Sequence, residues 1–299
     1  MAQVFYDKVA VEVEVAGVSE TLLASDCSVN YNNSLQPLYV IGNKGSLGHV
    51  PAGPRQGDIS FNFLTSITGT VHGYPGNVIN YLASGIKHSV GSSGSGVLIK
   101  CAGMSGMGFL NSYAFNTASN SVSTSSASFS LFGGYSSPAN FDSVISGRIT
   151  GSNPDISNPD GTAVATGVAH GRYTLLDDAV FGLQTIISAP GAATEEGTVY
   201  SADYSISFNH NPIYKVGQEF PTTTMYTNAS ESINVAEDIF NSGLTYTGDA
   251  RDYMITLSSF SLGEQDMKVK MISGYQVGTS ASAGLDDIVR SQKTLTAAY

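Results

Sequence analysis

The 299-residue chain has no tryptophan, only two cysteines and few charged residues. The charged fraction is 12 %, about half of the roughly 25 % found in ordinary soluble domains. Lys and Arg number 13 against 24 Asp and Glu, which gives a net charge of −11. Proteins that grip nucleic acid cluster basic side chains against phosphates, so this balance argues against such a role. It does not argue against lining a passage through which DNA slides.

Sparse charge over a large chain suits a protein whose surface is covered by copies of itself, although a lone monomer is also compatible with it. Cys27 and Cys101 are too few for a disulfide framework, and we predict two reduced, buried side chains. Residues 1–8 lack a basic segment followed by an apolar one, so we expect no export signal. The chain has no apolar run of about 18 residues or more, so we expect no membrane-spanning segment.

Motifs for catalysis or metal binding are not found in the sequence. The histidines show no metal-ligand spacing with one another or with the cysteines; they are His49, His72, His88, His170 and His210. Residues 153–161 lack the alternating acids of a calcium loop, and residues 91–96 lack the Lys-Ser/Thr of a phosphate-binding loop. No Gly-x-Ser-x-Gly motif occurs. We therefore predict no catalytic residue, no cofactor and no metal.

Glycine is abundant, with 33 residues, and Ser, Thr and Asn are frequent. This composition favours β structure with many turns. Period-two alternation of apolar residues predicts strands at residues 9–16, where Val9, Val11, Val13 and Val15 alternate with other residues, and at Ile59–Phe63. The spacing of Val78, Ile79, Leu82 and Ile86 predicts a short helix, and a hairpin is predicted from residues 109–115 and 122–132. The expected fold is mainly β with one short helix.

A motif occurs twice. Residues 27–42 contain Pro37-Leu38-Tyr39 followed by Gly42, and residues 204–217 contain Pro212-Ile213-Tyr214 followed by Gly217. Upstream, Val29 and Tyr31 match Ile206 and Phe208 if a two-residue slip is allowed in the Asn-rich turn. A repeat spaced by about half the chain predicts two copies of one domain.

The predicted boundaries follow from this repeat. We assign residues 1–134 to the first copy, 135–174 to a linker or surface excursion, 175–275 to the second copy and 276–299 to a polar tail. In the second copy, residues 254–261 and 267–275 are predicted to form the closing hairpin, the counterpart of residues 110–115 and 122–132. The helix is expected to be lost or shortened there.

The order of these motifs resembles the tail tube (major tail) proteins of tailed bacteriophages. The resemblance rests on three motifs in order: Ser-Val-x-Tyr, then Pro-Leu-Tyr-x-x-Gly with a Gly/Pro-rich loop, then a Leu-x-Ser-Tyr-x-Phe hairpin. The two-copy arrangement resembles the phages whose tube chain holds two tube domains. The long segment 135–174 and the trimmed second copy depart from that pattern.

The resemblance implies a duplicated β-sandwich domain with a flanking helix, whose sheets join edge to edge into a β-barrel around a lumen. Three chains would close a pseudo-sixfold homotrimeric ring, and rings would stack into the tube of a virion. The chain would be made in the bacterial host cytoplasm. The implied partners are the chain itself, the tape-measure, baseplate and terminator proteins, and transiently passing DNA.

Two sets of residues are expected to serve assembly and DNA passage. The Gly/Pro-rich loop 43–57 would reach the next ring, with Lys44, Leu47, Val50 and Arg55 as contact candidates. Glu12 and Glu14, on the polar side of the first strand, are the candidate lumen acids, with an outer face as the alternative for that strand. Other functions left open are a baseplate hub, tail terminator or decoration protein, and an enzyme or carbohydrate-binding module.

Overall fold

The computed structural model describes most of the chain. The described residues are 11–32, 35–54, 56–67, 70–71, 74–94, 96–101, 104–118, 121–132, 174–175, 179–186, 193–195, 199–216, 221–238, 250–259, 266–282 and 290–299. The predicted linker 135–174 lies outside them except for its last residue, Thr174.

The described residues form strands and one helix, so the chain is mainly β as predicted. The strands are β1 (Val11–Val15), β2 (Val18–Leu22), β3 (Ala24–Asn32), β4 (Leu35–Tyr39), β5 (Ser46–Pro51), β6 (Gln56–Leu64), β7 (Ser66–Ile67), β8 (Thr70–Val71), β9 (Tyr74–Pro75), β10 (Ser93–Gly94), β11 (Val97–Cys101), β12 (Met104–Ala118), β13 (Thr124–Phe132), β14 (Thr174–Leu175), β15 (Ala179–Ile186), β16 (Ala193–Glu195), β17 (Val199–Ile213), β18 (Thr223–Asp238), β19 (Arg251–Ser259), β20 (Asp266–Ser282) and β21 (Arg290–Ala298). Helix α1 spans Val78–His88.

Helix α1 confirms the prediction from apolar spacing, and its start is explained by local hydrogen bonds. The side chain of Asn77 caps it by accepting from the backbone N–H of Asn80 at 2.8 Å. The buried carboxylate of Glu20, on β2, accepts the N–H of Val78 at 2.7 Å. Helices leave their first N–H groups without internal partners, so these two acceptors fix where α1 begins.

The strands form two series with the same order of pairing. The first runs β3-β6-β13-β12-β11-β1-β2, and the second runs β17-β18-β21-β20-β19-β15-β16. In each series one long strand, β12 or β20, pairs with different neighbours along its two halves. The series are joined because residues 112–118 of β12 pair antiparallel with residues 201–207 of β17.

The registers of the two series also correspond. The β3–β6 ladder shifts between Ala24 and Asp26, and the β17–β18 ladder shifts between Val199 and Ser201. Matched from these bulges, Val29 corresponds to Tyr204, with the same offset that relates Pro37 to Pro212. The sequence match of Val29 to Ile206, with its two-residue slip, is therefore replaced by an alignment without a slip.

Two sequence-based assignments in the second half need correction. By position in the series, β19 and β20 correspond to β11 and β12, so the hairpin at residues 254–275 is not the counterpart of β12–β13. That place belongs to β20 and β21. Residues 276–299, predicted as a polar tail, contain the second half of β20 and all of β21, and Leu295 on β21 is completely buried.

The loop predicted over residues 43–57 is also partly strand. Strand β5 lies within it and pairs with β4 to form a hairpin, and Gln56 and Gly57 begin β6. The prolines and glycines hid this pairing, because they are depleted in strands.

One continuous apolar core lies between the layers of both series. Helix α1 buries Ile79, Tyr81 and Leu82 in it, and Leu257 and Met267 from the second half belong to the same cluster. Cys27 on β3 and Cys101 on β11 are joined by a disulfide, which corrects the prediction that both are reduced. They are 74 positions apart in sequence, so the fold of the first series brings them together.

Because Leu295 is completely buried, strand β21 should contribute strongly to the free energy of unfolding. We expect Leu295→Ala to lower the free energy of unfolding by about 2–5 kcal/mol, because it leaves a cavity in the core. Gln292→Ala, on the exposed side of the same strand, should change it by less than about 0.5 kcal/mol. Urea denaturation of both variants tests this, and equal effects would mean that β21 is not part of the core.

Candidate assembly surface

Eight strands form a continuous sheet whose outer side is covered with small polar side chains. The strands are, in order, β3, β6, β13, β12, β17, β18, β21 and the second half of β20. We call this side the polar face. Its residues on the paired strands are Asp26, Ser28, Asn30, Asp58, Ser60, Asn62, Ser112, Ala114, Asn116, Ser126, Ser128, Ser130, Asp203, Ser205, Ser207, Ser230, Ser232, Asn234, Gln292, Thr294 and Thr296.

The polar face results from period-two alternation in every strand, since successive residues of a strand point to opposite sides of the sheet. On β13, Ala127, Phe129 and Leu131 point into the core, whereas the serines between them point outward. The same alternation holds on β17, where Tyr204 and Ile206 are buried.

Hydrogen bonds between neighbouring strands cross the polar face. Asn62 donates to Asp26 at 2.8 Å, Ser130 donates to Asp58 at 3.0 Å, and Asn116 donates to Asp203. Hydroxyl pairs continue the pattern, each at 2.7 Å: Ser112 with Ser128, and Ser207 with Ser230. Because these side chains are short and hydrogen-bonded in pairs, the polar face is an ordered surface.

Charge on the polar face is acidic. Asp26, Asp58 and Asp203 are its ionisable side chains, and each accepts a hydrogen bond from a neutral partner. At one end of the sheet the backbone register places Arg290 opposite Asp238. The polar face as defined has no lysine or arginine.

Both outer edges of this sheet have backbone groups without a strand partner among the described residues. At one edge, β3 pairs with β6 alone. At the other edge, residues 275–282 of β20 pair with β21 alone. Unpaired sheet edges are templates for pairing with another chain.

A hairpin of β4 and β5, which we call the first arm, exposes apolar side chains. Tyr39 is 73 % exposed, Ile41 is fully exposed and Leu47 is 66 % exposed. Of the other predicted residues there, Val50 and Lys44 are also exposed, whereas Arg55 lies outside the described residues. Exposed apolar groups clustered in this way mark interaction surfaces.

The second motif lies in the corresponding place. Pro212 is at the end of β17, opposite Thr224 of β18, and beyond it Val216 is fully exposed. We call residues 213–216, at and beyond the end of β17, the second arm. Both arms follow strand ends at the same end of the sheet. Four successive antiparallel pairings connect β3 to β17, so these two strands run in the same direction.

The repeated motif residues differ in environment. Pro37 is half-buried and Gly42 has a φ of 92°, a backbone conformation that favours glycine. Tyr214 is half-buried, and burial raises the pKa of its hydroxyl. Gly217 lies outside the described residues.

The structure places Glu12 and Glu14 away from the polar face. Both are on β1, which pairs with β2 and β11 at the far end of the first series. Ser19 donates to Glu12 at 2.5 Å and Lys100 forms an ion pair with it at 3.2 Å. The Ser19 hydrogen bond, with Lys100 helping, holds the pKa of Glu12 below its usual value.

A buried ion pair connects the two halves of the chain. Lys87 of α1 lies 3.0 Å from the carboxylate of Glu231 on β18, and both side chains are essentially inaccessible. Tyr204 donates to the same carboxylate at 2.8 Å, and Tyr299 donates at 2.5 Å. The Lys87 ammonium also donates to the backbone carbonyl of Lys270.

Burial sets the proton affinities in this cluster. It lowers the pKa of Lys87, although Glu231 opposes the shift. Burial and the neighbouring Glu231 carboxylate raise the pKa of Tyr204 well above its ordinary value. Both tyrosines therefore remain hydrogen-bond donors to Glu231 near neutral pH.

Sequence reasoning found the arms but missed the polar face and the buried ion pair. Each strand of the face shows a detectable alternation, yet only the register brings eight strands together. For Lys87, the available signal is a lysine in a helix that contains no acidic residue to pair with it.

Within the described ranges, no group of three or more His, Cys, Asp or Glu side chains is arranged to hold a metal ion. The same part of the chain contains no helix of the length and apolarity needed to span a membrane. No protein-family model matches the chain, and no curated protein matches it either.

The buried ion pair should be costly to break. We expect Lys87→Met to lower the free energy of unfolding by about 3–5 kcal/mol, since Glu231 would then be a buried, uncompensated charge. Adding Glu231→Gln should recover part of this loss. Lys100→Met, which removes the exposed partner of Glu12, should cost about 1 kcal/mol or less. Urea denaturation measures all three; a double variant no more stable than the single one would contradict the coupling.

Proposed function

We propose that this protein is the tail tube subunit of a tailed bacteriophage, with two tube domains in one chain. One observation carries the proposal: an eight-stranded sheet has a polar, acidic face and, among the described residues, an edge without a strand partner on each side. Apolar arms project from one end of that sheet. This combination suits a ring that closes through its edges, stacks through its arms and has a hydrophilic inner wall.

The two series of strands support an internal duplication. They share a strand order, a bulge at the start of β3 or β17, and a fourth strand, β12 or β20, that has a register shift and pairs with different neighbours along its two halves. The repeated Pro-x-Tyr-x-x-Gly motif falls at the same point of both series. Residues 239–249, where a counterpart of α1 would fall, lie outside the described residues.

The β12–β17 ladder supports the ring. It joins the halves of one chain through an antiparallel pair. In the order of the eight-stranded sheet, β12 is the last strand of the first half and β17 is the first strand of the second half. Repeating the same relation between chains pairs β20 of one with β3 of the next. A head-to-tail interface of this kind closes into a ring when its rotation permits. Three chains would give six equivalent domains.

The polar face would then line the channel. Hydroxyl and amide groups already paired with one another offer DNA few free donors. The three aspartates repel phosphates over about 8 Å at physiological salt. This assignment replaces Glu12 and Glu14 as lumen acids with Asp26, Asp58 and Asp203, and it places β1 on the outer layer.

The arms would contact the next ring. A second copy of this chain is the proposed occupant, because both arms leave the same end of the sheet and would form a regular circle in the ring. Burying Tyr39, Ile41, Leu47 and Val216 there would remove apolar surface from water. At the tube ends, baseplate and terminator proteins would take the place of the next ring, and the tape-measure protein would occupy the lumen.

Another β-rich virion component, such as a baseplate hub, terminator or decoration protein, is the second candidate, since open edges and arms suit any ring. An enzyme or carbohydrate-binding module receives less support. The groove on the polar face is open and lined with serines. Glu231 is among the lining residues, but its carboxylate lies on the buried side of β18, where Lys87 and two tyrosines engage it.

Electron microscopy of the purified protein tests the proposal. We expect hollow tubes with three chains per ring, and native mass measurement of released rings counts the chains. Ile41→Ser with Leu47→Ser should leave rings that do not elongate, because stacking loses its apolar contacts. Asn43→Ser, in the same turn, is the matched control and should form tubes.

Wild-type rings that never elongate would favour the hub, terminator or decoration reading, and a persistent monomer would overturn the ring. Six chains per ring would refute the trimer while leaving a tube intact.

The channel assignment can be tested with DNA. We expect Ser207→Lys tubes, assembled with short duplex DNA, to retain nuclease-resistant DNA, because lysines on the inner wall bind phosphates. Retention should fall as salt rises. Glu14→Lys tubes should bind DNA only in a nuclease-sensitive form, since β1 is on the outside. Protection by Glu14→Lys and none by Ser207→Lys would reverse the assignment.

A further inference from the structure

The junction inside one chain predicts the junction between chains residue by residue. We call the β12–β17 ladder the internal junction. In it, Ser112 lies opposite Ser207, Ala114 opposite Ser205 and Asn116 opposite Asp203. Both participating strands have a counterpart at an open edge: β20 for β12, and β3 for β17. The pairing between chains can therefore be derived from the internal register.

The bulges fix the correspondence. The β12–β13 ladder shifts between Leu110 and Ser112, and the β20–β21 ladder shifts between Gln276 and Gly278. Ser112 therefore corresponds to Gly278, and Ala114 corresponds to Ser280. On the other strand, the bulges at the start of β3 and β17 match Ser205 to Asn30.

We infer that β20 of one chain pairs antiparallel with β3 of the next, with Ser280 opposite Asn30. The same register places Gly278 opposite Asn32 and Ser282 opposite Ser28. This inference rests on the proposed function and adds the identity and register of the strands that close the ring.

The sides of the two strands agree with this register. Ser280 lies opposite Gln292 of β21, and Asn30 lies opposite Asp58 of β6. Gln292 and Asp58 both belong to the polar face, so Ser280 and Asn30 continue it across the junction. A shift of one residue would turn one strand over relative to the other and break this continuity.

The core side of the junction also agrees. In the internal junction, Phe115 and Tyr204 lie opposite each other and stack with ring centroids 5.0 Å apart. Their counterparts between chains are Ala281 and Val29. Ala281 is exposed in the single chain, although the residues on the same side of the neighbouring strand β21 are buried. This exposure is expected for a position that the next chain covers. The smaller pair gives the junction between chains less apolar contact.

Cysteine cross-linking tests the register. Opposed residues of antiparallel strands have Cα atoms about 4.5–5.5 Å apart, within the range of a disulfide. We expect Ser280→Cys with Asn30→Cys to shift most of the oxidised, assembled chain from monomer to covalent dimer and trimer on a denaturing gel. Ser282→Cys with Ser28→Cys should do the same.

Two controls use the same face. Ser280→Cys with Ser60→Cys moves one cysteine to β6, about 4.8 Å further from the junction, and should leave the chain monomeric on the gel. Ala114→Cys with Ser205→Cys spans the internal junction and should cross-link within the chain, without larger species. Each pair is tested both with the native cysteines and with Cys27→Ser and Cys101→Ser.

The outcomes separate this inference from the proposed function. Tubes in which the internal pair cross-links but neither the Ser280–Asn30 nor the Ser282–Ser28 pair does would overturn the register and leave the tube proposal standing. Equal cross-linking by the Ser60 control would also overturn it. A wild-type chain that forms neither rings nor tubes would overturn both.

Discussion

The backbone ladder between β12 and β17 is the interaction on which the rest of this structure depends. It converts two similar series of strands into one sheet. In the order of that sheet, β12 is the last strand of the first half, and it pairs antiparallel with β17, the first strand of the second half. Within the part of the chain that the structure describes, that arrangement leaves β3 without a partner at one edge and β20 without a second partner at the other. Backbone groups at an open edge need partners when they are removed from water. Since the two outer edges correspond to β12 and β17, the internal ladder shows which pairing would supply those partners.

The buried ion pair of Lys87 and Glu231 also joins the two halves of the chain. Taking two charges out of water is costly, and a hydrophobic pair of similar size is often as stable. The pair is therefore better understood as fixing α1 of the first half against β18 of the second, with tyrosines satisfying the remaining carboxylate positions. Buried polar groups that are fully paired define one arrangement, because any other arrangement leaves a charge without a partner.

The sequence predicted local features and missed those that depend on register. Helix α1 and the β12–β13 hairpin could be predicted because their apolar residues recur at the period of each element. Strand β21 escaped because its inward positions include Ser291 and Lys293, so that only Leu295 and the small Ala297 mark the buried side. The disulfide escaped because the separation of two cysteines in sequence gives no distance in space. The polar face escaped for a related reason: eight ordinary alternating strands become one surface only through their pairing.

In the proposed ring the two kinds of junction would be unequal. The internal junction is formed within the chain and has the large aromatic rings of Phe115 and Tyr204 beneath it, so it does not depend on protein concentration. The proposed junction between chains would have Ala281 and Val29 in the equivalent place, and it would have to offset the entropy lost on association. A weaker outer junction would let misplaced chains dissociate before the ring closes. Closure would then pair every edge at once, and the ring would be far harder to open than any single junction.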